Sequence, residues 1–319
     1  MAELPFCLIV AGPTTSGKSA LALGLAGRLG GAVINADAMQ CYRDLRVLTA
    51  RPTPEEETRA PHRLYGTRGA AERVDAAWWR EAALGEMRAA RAAGRLPILC
   101  GGTGMYLAAL RQGIAPIPPI PAAAREEARG LLERLGAAGL HAELARVDPA
   151  AAARLRPSDS QRLARAFEVW RATGRSILAW QAEKGAPAPW RFAALVLDPP
   201  REALREAAAA RFAAMLEAGA VEEVRALCAR DLPPDLPLLR AHGVPELSAF
   251  LRGEIPLAEA AARAVRATGQ YTRRQATWLR HHELADPRAT HTIYARVAGL
   301  EQFMQSEMAA MMSIIRREG

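Results

Sequence analysis

Gly12-Pro13-Thr14-Thr15-Ser16-Gly17-Lys18-Ser19 matches the pattern G-x-x-x-x-G-K-S, and the chemistry that this spacing serves is phosphate capture. Gly12 and Gly17 let the backbone curl so that successive N–H groups point inward, while the following helix presents its positive end. Lys18 adds a full charge, and the Ser19 hydroxyl is placed to ligate Mg2+ between phosphate oxygens. All eight residues are therefore candidate phosphate ligands, with Ser19 also the candidate metal ligand. The motif does not say which phosphorylated molecule sits there. Two more polar side chains follow apolar runs. Asp37 ends Gly31–Asp37, and Thr103 follows Leu96–Cys100 inside Gly101-Gly102-Thr103-Gly104. Ligands of open α/β sheets bind at the carboxyl ends of strands, so both belong beside the loop. Asp37 suits a base, a metal ligand or a turn-capping carboxylate, and the residues alone leave these open. The glycine turn before Thr103 is weak by itself, because tight strand–helix turns need glycine anyway.

The elements that must position these groups can be read from periodicity. Phe6–Val10 is short, apolar and rich in branched residues, as a strand buried on both faces requires. Ala20–Leu29 reads as its helix. Asp75 caps a helix over 76–93 that ends at Gly94. Ala115–Pro121 is a stiff proline-rich connector. From there to about Lys184 the chain is helical and arginine-rich, with no convincing strand. Within it, Ser158 and Gln161 are spaced as a capping box, and Leu163, Phe167 and Trp170 share a packing face. Gln161, Arg162 and Arg165 crowd the first turns elsewhere; arginine there opposes the helix dipole, so either an anion compensates or the face is simply solvated. Phe192–Asp198 returns to strand character, and Pro199-Pro200 opens a long helix containing Arg211 and running toward Arg230. After the loop Arg240–Pro245 comes an amphipathic helix carrying Gln270–Arg280. Thr292–Tyr294 reads as an edge strand, and 297–317 as a final helix with a Met/Ile face. The expected fold class is α/β: a P-loop NTPase-like parallel sheet with flanking helices and an inserted all-helical subdomain. The expected boundaries are 1–114, 115–189 and 190–319, the first and last forming one core.

Composition narrows the class of partner. The net charge is +8, carried almost entirely by arginine, which favours an anionic partner without specifying it. No apolar run reaches the eighteen or so residues of a membrane span, and the first residues lack the pattern of a secretory signal. Cys7, Cys41, Cys100 and Cys228 are scattered without metal spacing, as reduced thiols in the cytoplasm would be. No membrane partner is expected, and a monomer is the expected state.

Several stretches in combination resemble one family. They are the loop Gly12–Ser19; Asn35-Ala36-Asp37 with Gln40 and Tyr42; Thr49-Ala50-Arg51-Pro52; Pro61-His62; Gly101-Gly102-Thr103 with Tyr106; Asp159–Val169 with Thr173-Gly174; and Arg274-Gln275-Ala276-Thr277-Trp278. This set resembles the bacterial tRNA dimethylallyltransferases, which modify the adenine just 3′ of the anticodon. The resemblance spans roughly residues 6–285, and only the phosphate loop in it is generic.

It implies that the loop binds the pyrophosphate of dimethylallyl diphosphate with Mg2+ and not a nucleotide, that the adenine N6 attacks the allylic carbon, and that Asp37 is the general base. Arg211 matches an arginine that also contacts the diphosphate, and Thr103 a threonine near the reacting adenosine. Asp37, Ala38, Met39, Gln40 and Thr103 then belong to the tRNA-contacting set. So do Gln161, Arg162, Leu163, Ala164 and Arg165, then Arg273, Arg274, Gln275, Thr277 and Arg280, with Arg125 beside them. The implied partners are a tRNA anticodon stem-loop and dimethylallyl diphosphate. The chain departs from the family in three places: Asp37-Ala38 where Asp-Ser is usual, Leu48-Thr49-Ala50-Arg51-Pro52 where Gly-Thr-Ala-Lys-Pro is usual, and Val244-Pro245 where Tyr-Arg is common. None removes a group the reaction cannot lack. A small-molecule kinase, an enzyme prenylating free AMP, and a noncatalytic RNA-binding protein are the alternatives. The basic insert argues against the first two, and the intact Lys18, Ser19 and Asp37 against the last.

Overall fold

The computed structural model describes residues 4–183, 185–297 and 313. The chain divides into two compact units, one running up to Arg111 and resuming at Ala188, the other Gln112–Pro187. The second begins three residues before the boundary expected from the proline-rich connector and ends two residues sooner.

The first unit is built on six strands: β1 (Phe6–Ala11), β2 (Gly31–Asn35), β3 (His62–Arg63), β4 (Leu96–Gly101), β5 (Arg191–Leu197) and β6 (Thr290–Ile293). Their order is β3-β2-β4-β1-β5-β6, and every neighbouring pair is parallel. Cys7–Ala11 and all of β2 are buried, as befits parallel strands covered on both faces. Because β2, β4 and β1 are adjacent, the residues that follow them emerge along one edge of the sheet.

The helices of this unit before the excursion are α1 (Lys18–Leu29), α2 (Pro54–Arg59), α3 (Ala76–Ala92) and α4 (Gly104–Gln112). Helix α2 was not apparent in the polar stretch around it. It is a single exposed turn and a half, held by Thr53 and Glu56 capping each other's backbone N–H. Asp75 caps α3 as its position predicts, accepting from the Trp78 N–H.

The second unit holds α5 (Ala122–Val147, kinked at Gly136), α6 (Pro149–Arg154), α7 (Ser160–Thr173) and α8 (Ile177–Ala182). Its core comprises small and branched residues, including Ala128, Leu140, Leu144, Leu163, Ala166 and Phe167. The cap of α7 is not the predicted Ser158–Gln161 box. Asp159 caps instead, its carboxylate accepting from the Arg162 N–H, since the helix starts one residue later.

After the excursion come α9 (Arg201–Glu217), α10 (Ala220–Cys228), α11 (Val244–Leu251) and α12 (Leu257–His281). The single helix expected from Pro200 to Arg230 is two. Gly219, at φ 97°, adopts the left-handed conformation that ends α9 and starts α10. These helices close a second core around Phe212, Met215, Val224, Leu247 and Ala264. The helix expected over 297–317 lies outside the described residues beyond Val297. Among the described residues no helix is long and apolar enough to cross a membrane, and the four cysteines are free, all but Cys228 buried.

Candidate active site

The phosphate loop follows β1 and is tied down by residues distant in sequence. The Thr14 N–H and hydroxyl both donate to Gln275 Oε1, at 2.8 and 3.1 Å. Gln275 Nε2 donates to the Gly102 carbonyl at 2.9 Å. A single buried amide on α12 thereby joins the loop after β1 to the turn after β4. Thr15 lies at φ 69°, which is strained for a β-branched residue. Its hydroxyl donates to the Leu204 carbonyl of α9 at 3.1 Å. Gly17, at φ 92°, has no room for a Cβ because the Val297 carbonyl occupies that position.

Asp37 leaves the sheet two residues after β2. Buried Asn35 turns the chain there, its amide donating to the Asp37 and Leu64 carbonyls at 2.9 and 3.1 Å and its oxygen accepting from the Asp37 N–H at 2.8 Å. The Asp37 carboxylate accepts from the Met39 N–H at 3.0 Å, and its other oxygen has no hydrogen-bond partner among the described residues. Thr103 Oγ accepts from the Ala38 N–H at 3.0 Å, so its hydroxyl props the same turn. The ring of Trp79, stacked on Tyr106 at 4.5 Å, donates to the Asn35 carbonyl at 2.7 Å.

The phosphate loop and Asp37 open on one cavity of about 990 Å³, which Thr103 does not line. It is lined by Thr14, Lys18, Ser19 and Asp37, by Arg211 on α9, and by the loop from Arg46 to Thr53. Five cationic side chains, Lys18, Arg46, Arg51, Arg211 and Arg296, face three carboxylates, Asp37, Glu56 and Glu206, around its walls. Burial lowers the Lys18 ammonium below its ordinary range, and the charge of Asp37 counteracts only part of that. Arg211 is likewise depressed by burial, with Asp37 opposing and Arg296 adding to the effect. Two desolvated cations and a surplus of positive charge suit an anion with several oxygens.

A second, small cavity of about 70 Å³ shares Thr14, Asp37, Thr49, Arg211 and Met215 with the first and adds Leu48, Phe212, His242 and Tyr271 among others. The rings of His242 and Tyr271 lie 5.0 Å apart. Burial holds His242 below the ordinary imidazole range and pushes the Tyr271 phenol up to about 12.

Among the described residues no group of three or more His, Cys, Asp or Glu could cage a metal. The donors at the loop are hard oxygens, the Ser19 hydroxyl and the Asp37 carboxylate, both lining the cavity. Such a set fits Mg2+, which is commonly held by one or two protein groups together with substrate phosphates and water.

The expected site residues thus fall into three sets. Gly12–Ser19, Asp37, Thr103 and Arg211 come together at the sheet edge. Ala38, Met39 and Gln40 form the turn after Asp37, but the Gln40 amide is engaged with the Thr49 and Ala50 carbonyls at 2.9 and 2.8 Å. On α12, Arg273, Arg274, Thr277 and Arg280 are exposed, Arg280 in a two-pronged pair with Asp198 at 2.7 and 2.8 Å. Gln275 is buried, so its side chain fastens the phosphate loop and has no surface for RNA.

In the helical unit Arg125, Gln161, Arg162 and Arg165 are exposed and Ala164 partly so, whereas Leu163 is fully buried in the core and cannot make a side-chain contact with RNA. The Val244-Pro245 departure is structural: Val244 is buried, and proline suits the first turn of α11. Asn35 was noted from the sequence only as part of the stretch Asn35-Ala36-Asp37 and without a role, and Glu223 and Arg296 were not singled out. Glu223 accepts from three successive N–H groups, Arg46, Val47 and Leu48, at 2.7 to 3.0 Å and so shapes the far wall of the cavity. A glutamate on a helix carries no local mark of that role.

A sequence profile of the IPP transferase family matches residues 40–282. A tRNA dimethylallyltransferase of Acidiphilium cryptum is 61% identical over 309 residues, covering 97% of this chain and 94% of that one. The crystal structure of full-length tRNA isopentenylpyrophosphate transferase from Bacillus halodurans is 27% identical, with a TM-score of 0.69, and covers 99% of this chain and 98% of that one. A structure of a eukaryotic dimethylallyltransferase acting on tRNA is similar in fold, with a TM-score of 0.81 at 23% identity over 99% of this chain and 80% of that one.

Proposed function

The chain belongs to the IPP transferase family, and from that premise we propose that it transfers a dimethylallyl group from dimethylallyl diphosphate to N6 of the adenine 3′-adjacent to the anticodon of tRNA. The observation that carries the reading is the meeting on one cavity of Lys18, which follows β1, Asp37, which follows β2 with only β4 between the two strands, and Arg211 of α9. The adenine leaves its stack to reach the cavity, as in enzymes that act on an extruded base. Its N6 forms a bond to the allylic C1 as the C1–O bond breaks and diphosphate departs. Asp37 takes the N6 proton with the carboxylate oxygen not engaged by Met39. Lys18, Arg211 and the loop N–H groups face the negative charge that grows on the leaving diphosphate, and they need no reorganisation as it grows. Bound beside Ser19, magnesium supplies additional neutralisation of that charge. Leu48, Phe212 and Met215, which line the small cavity next to Asp37 and Arg211, suit the five-carbon group.

The tRNA is held by exposed arginines, Arg273, Arg274 and Arg280 on α12 and Arg125, Arg162 and Arg165 on the helical unit, through phosphate contacts and exposed bases of the anticodon stem-loop. Such an enzyme works in the cytoplasm, where tRNA is. The test is incubation of the purified protein with magnesium, labelled dimethylallyl diphosphate and total tRNA lacking this modification. Label entering tRNA and not free AMP supports the reading. Absence of transfer together with clear ATP binding overturns it in favour of a kinase.

A further inference from the structure

The carbonyls of a phosphate loop face away from its ligand and need partners of their own. Here two of them are satisfied by the segment after the edge strand β6. The Val297 N–H donates to the Ser16 carbonyl at 3.0 Å, and Arg296 Nε donates to the Thr15 carbonyl at 3.0 Å. Thr15 is the strained residue of the loop, and strain of this kind persists only where surrounding contacts over-determine it. The close approach of Val297 to Gly17 brings this segment tightly against the start of α1.

Arg296 does more than fasten the loop. Its guanidinium lines the large cavity together with Lys18, Ser19 and Arg211. Nε is used on Thr15, while neither terminal nitrogen has a hydrogen-bond partner among the described residues. A guanidinium held by one edge and open at the other presents a fixed pair of donors, the geometry that matches two oxygens of a phosphate. Its charge is felt by Arg211, so the two arginines repel each other when no anion lies between them.

We infer that Arg296 is a second diphosphate-binding arginine of this site, acting together with Lys18 and Arg211, delivered by the segment that also pins Thr15 and Ser16. The inference rests on the diphosphate reading of the cavity. It assigns to one side chain both the support of the loop and direct contact with the leaving group. Its contact with the departing oxygens strengthens as their charge grows, so it contributes to turnover as well as to affinity.

The test is calorimetric titration of the full chain with inorganic pyrophosphate and magnesium, for the native protein and for Arg296→Gln and Arg296→Lys, with tRNA affinity and the unfolding midpoint of the unliganded proteins measured alongside. Arg296→Gln weakens pyrophosphate binding roughly tenfold or more, as expected for loss of a charged bidentate donor. Arg296→Lys recovers only part of that loss, because an ammonium restores the charge without the fork. The affinity for tRNA stays as in the native protein. Pyrophosphate affinity unchanged in Arg296→Gln, or a lowered unfolding midpoint with native affinity, shows that the residue only fastens the loop and overturns the inference. Failure of the native protein itself to bind pyrophosphate overturns instead the diphosphate reading beneath it.

Discussion

The phosphate loop and helix α7 are both basic and both suit anions, yet they are built in opposite ways. The loop's polar groups find partners 261, 189 and 281 residues away, in Gln275, Leu204 and Arg296. Two of the three arginines of α7 pair at 3.5 Å with carboxylates three residues away, Arg162 with Asp159 and Arg165 with Glu168, and both guanidinium groups remain open to water. Exposed pairs of this kind contribute little to stability and are screened by salt. The difference follows from what each surface is proposed to do. A reacting phosphate must be met by donors already in place, which takes a rigid, multiply tied loop. An RNA backbone offers many equivalent phosphates, so charge on long side chains suffices. Damage to the loop region should therefore be steep and specific, and damage to α7 shallow and salt-dependent.

The sharpest break of that contrast is at Asp37. Asp37→Asn keeps an oxygen for the Met39 N–H but removes the proton acceptor, so kcat should fall roughly 10²- to 10⁴-fold with tRNA affinity nearly unchanged. Single-turnover transfer and a filter-binding titration measure the two; near-normal turnover would take Asp37 out of the mechanism.

Next in size is a pH effect at Lys18. Its burial favours the neutral amine, while a bound diphosphate favours the ammonium. Pyrophosphate affinity should thus begin to fall at a pH below the ordinary lysine value of 10.5, at the lowered value of the free protein, and continue to fall until the raised value of the complex is passed. A Lys18→Met variant, weaker throughout, should lack this slope. A slope that survives in Lys18→Met assigns it to another group.

A smaller effect is expected at Gln275. Gln275→Leu strands the Thr14 N–H and the Gly102 carbonyl, costing about 1–3 kcal/mol of stability by denaturant unfolding, without altering the salt dependence of tRNA binding. A changed salt slope with unchanged stability would make Gln275 an RNA contact after all.

The smallest changes belong to α7. Arg162→Gln and Arg165→Gln should each lower the slope of log affinity for tRNA against log salt by about 1 and shift stability by less than about 0.5 kcal/mol. A large loss of turnover at either position would show that this helix works as the loop does.

How much was legible follows the same division. Local chemistry was sufficient for the phosphate loop, because a curled backbone, a lysine and a hydroxyl must occupy consecutive positions to act together. It also sufficed for β1, β2, β4 and β5, whose apolar runs match strands buried on both faces, and for the Asp75 cap of α3. It misled where one residue decides an end: Gly219 splits the helix after Pro200, and Asp159, not Ser158, caps α7. Periodicity had already put Leu163 on the packing face of α7, and its burial follows that face and not its place in the RNA-contacting set, whereas Gln275 stands among polar neighbours and only packing turned it inward.

By itself, then, the order of residues determined four of the six strands, the loop that follows the first of them, and the acid and hydroxyl that close two others, since each depends on neighbours within a few positions. The tertiary structure alone decided that Asn35 turns Asp37 outward, that Gln275 joins two loops, that Glu223 shapes the far wall, and that Arg296 reaches back to Thr15. Those roles are hydrogen bonds between residues tens to hundreds of positions apart, or to a neighbour whose direction packing sets. No local pattern encodes them, because a partner exists only once the chain has folded.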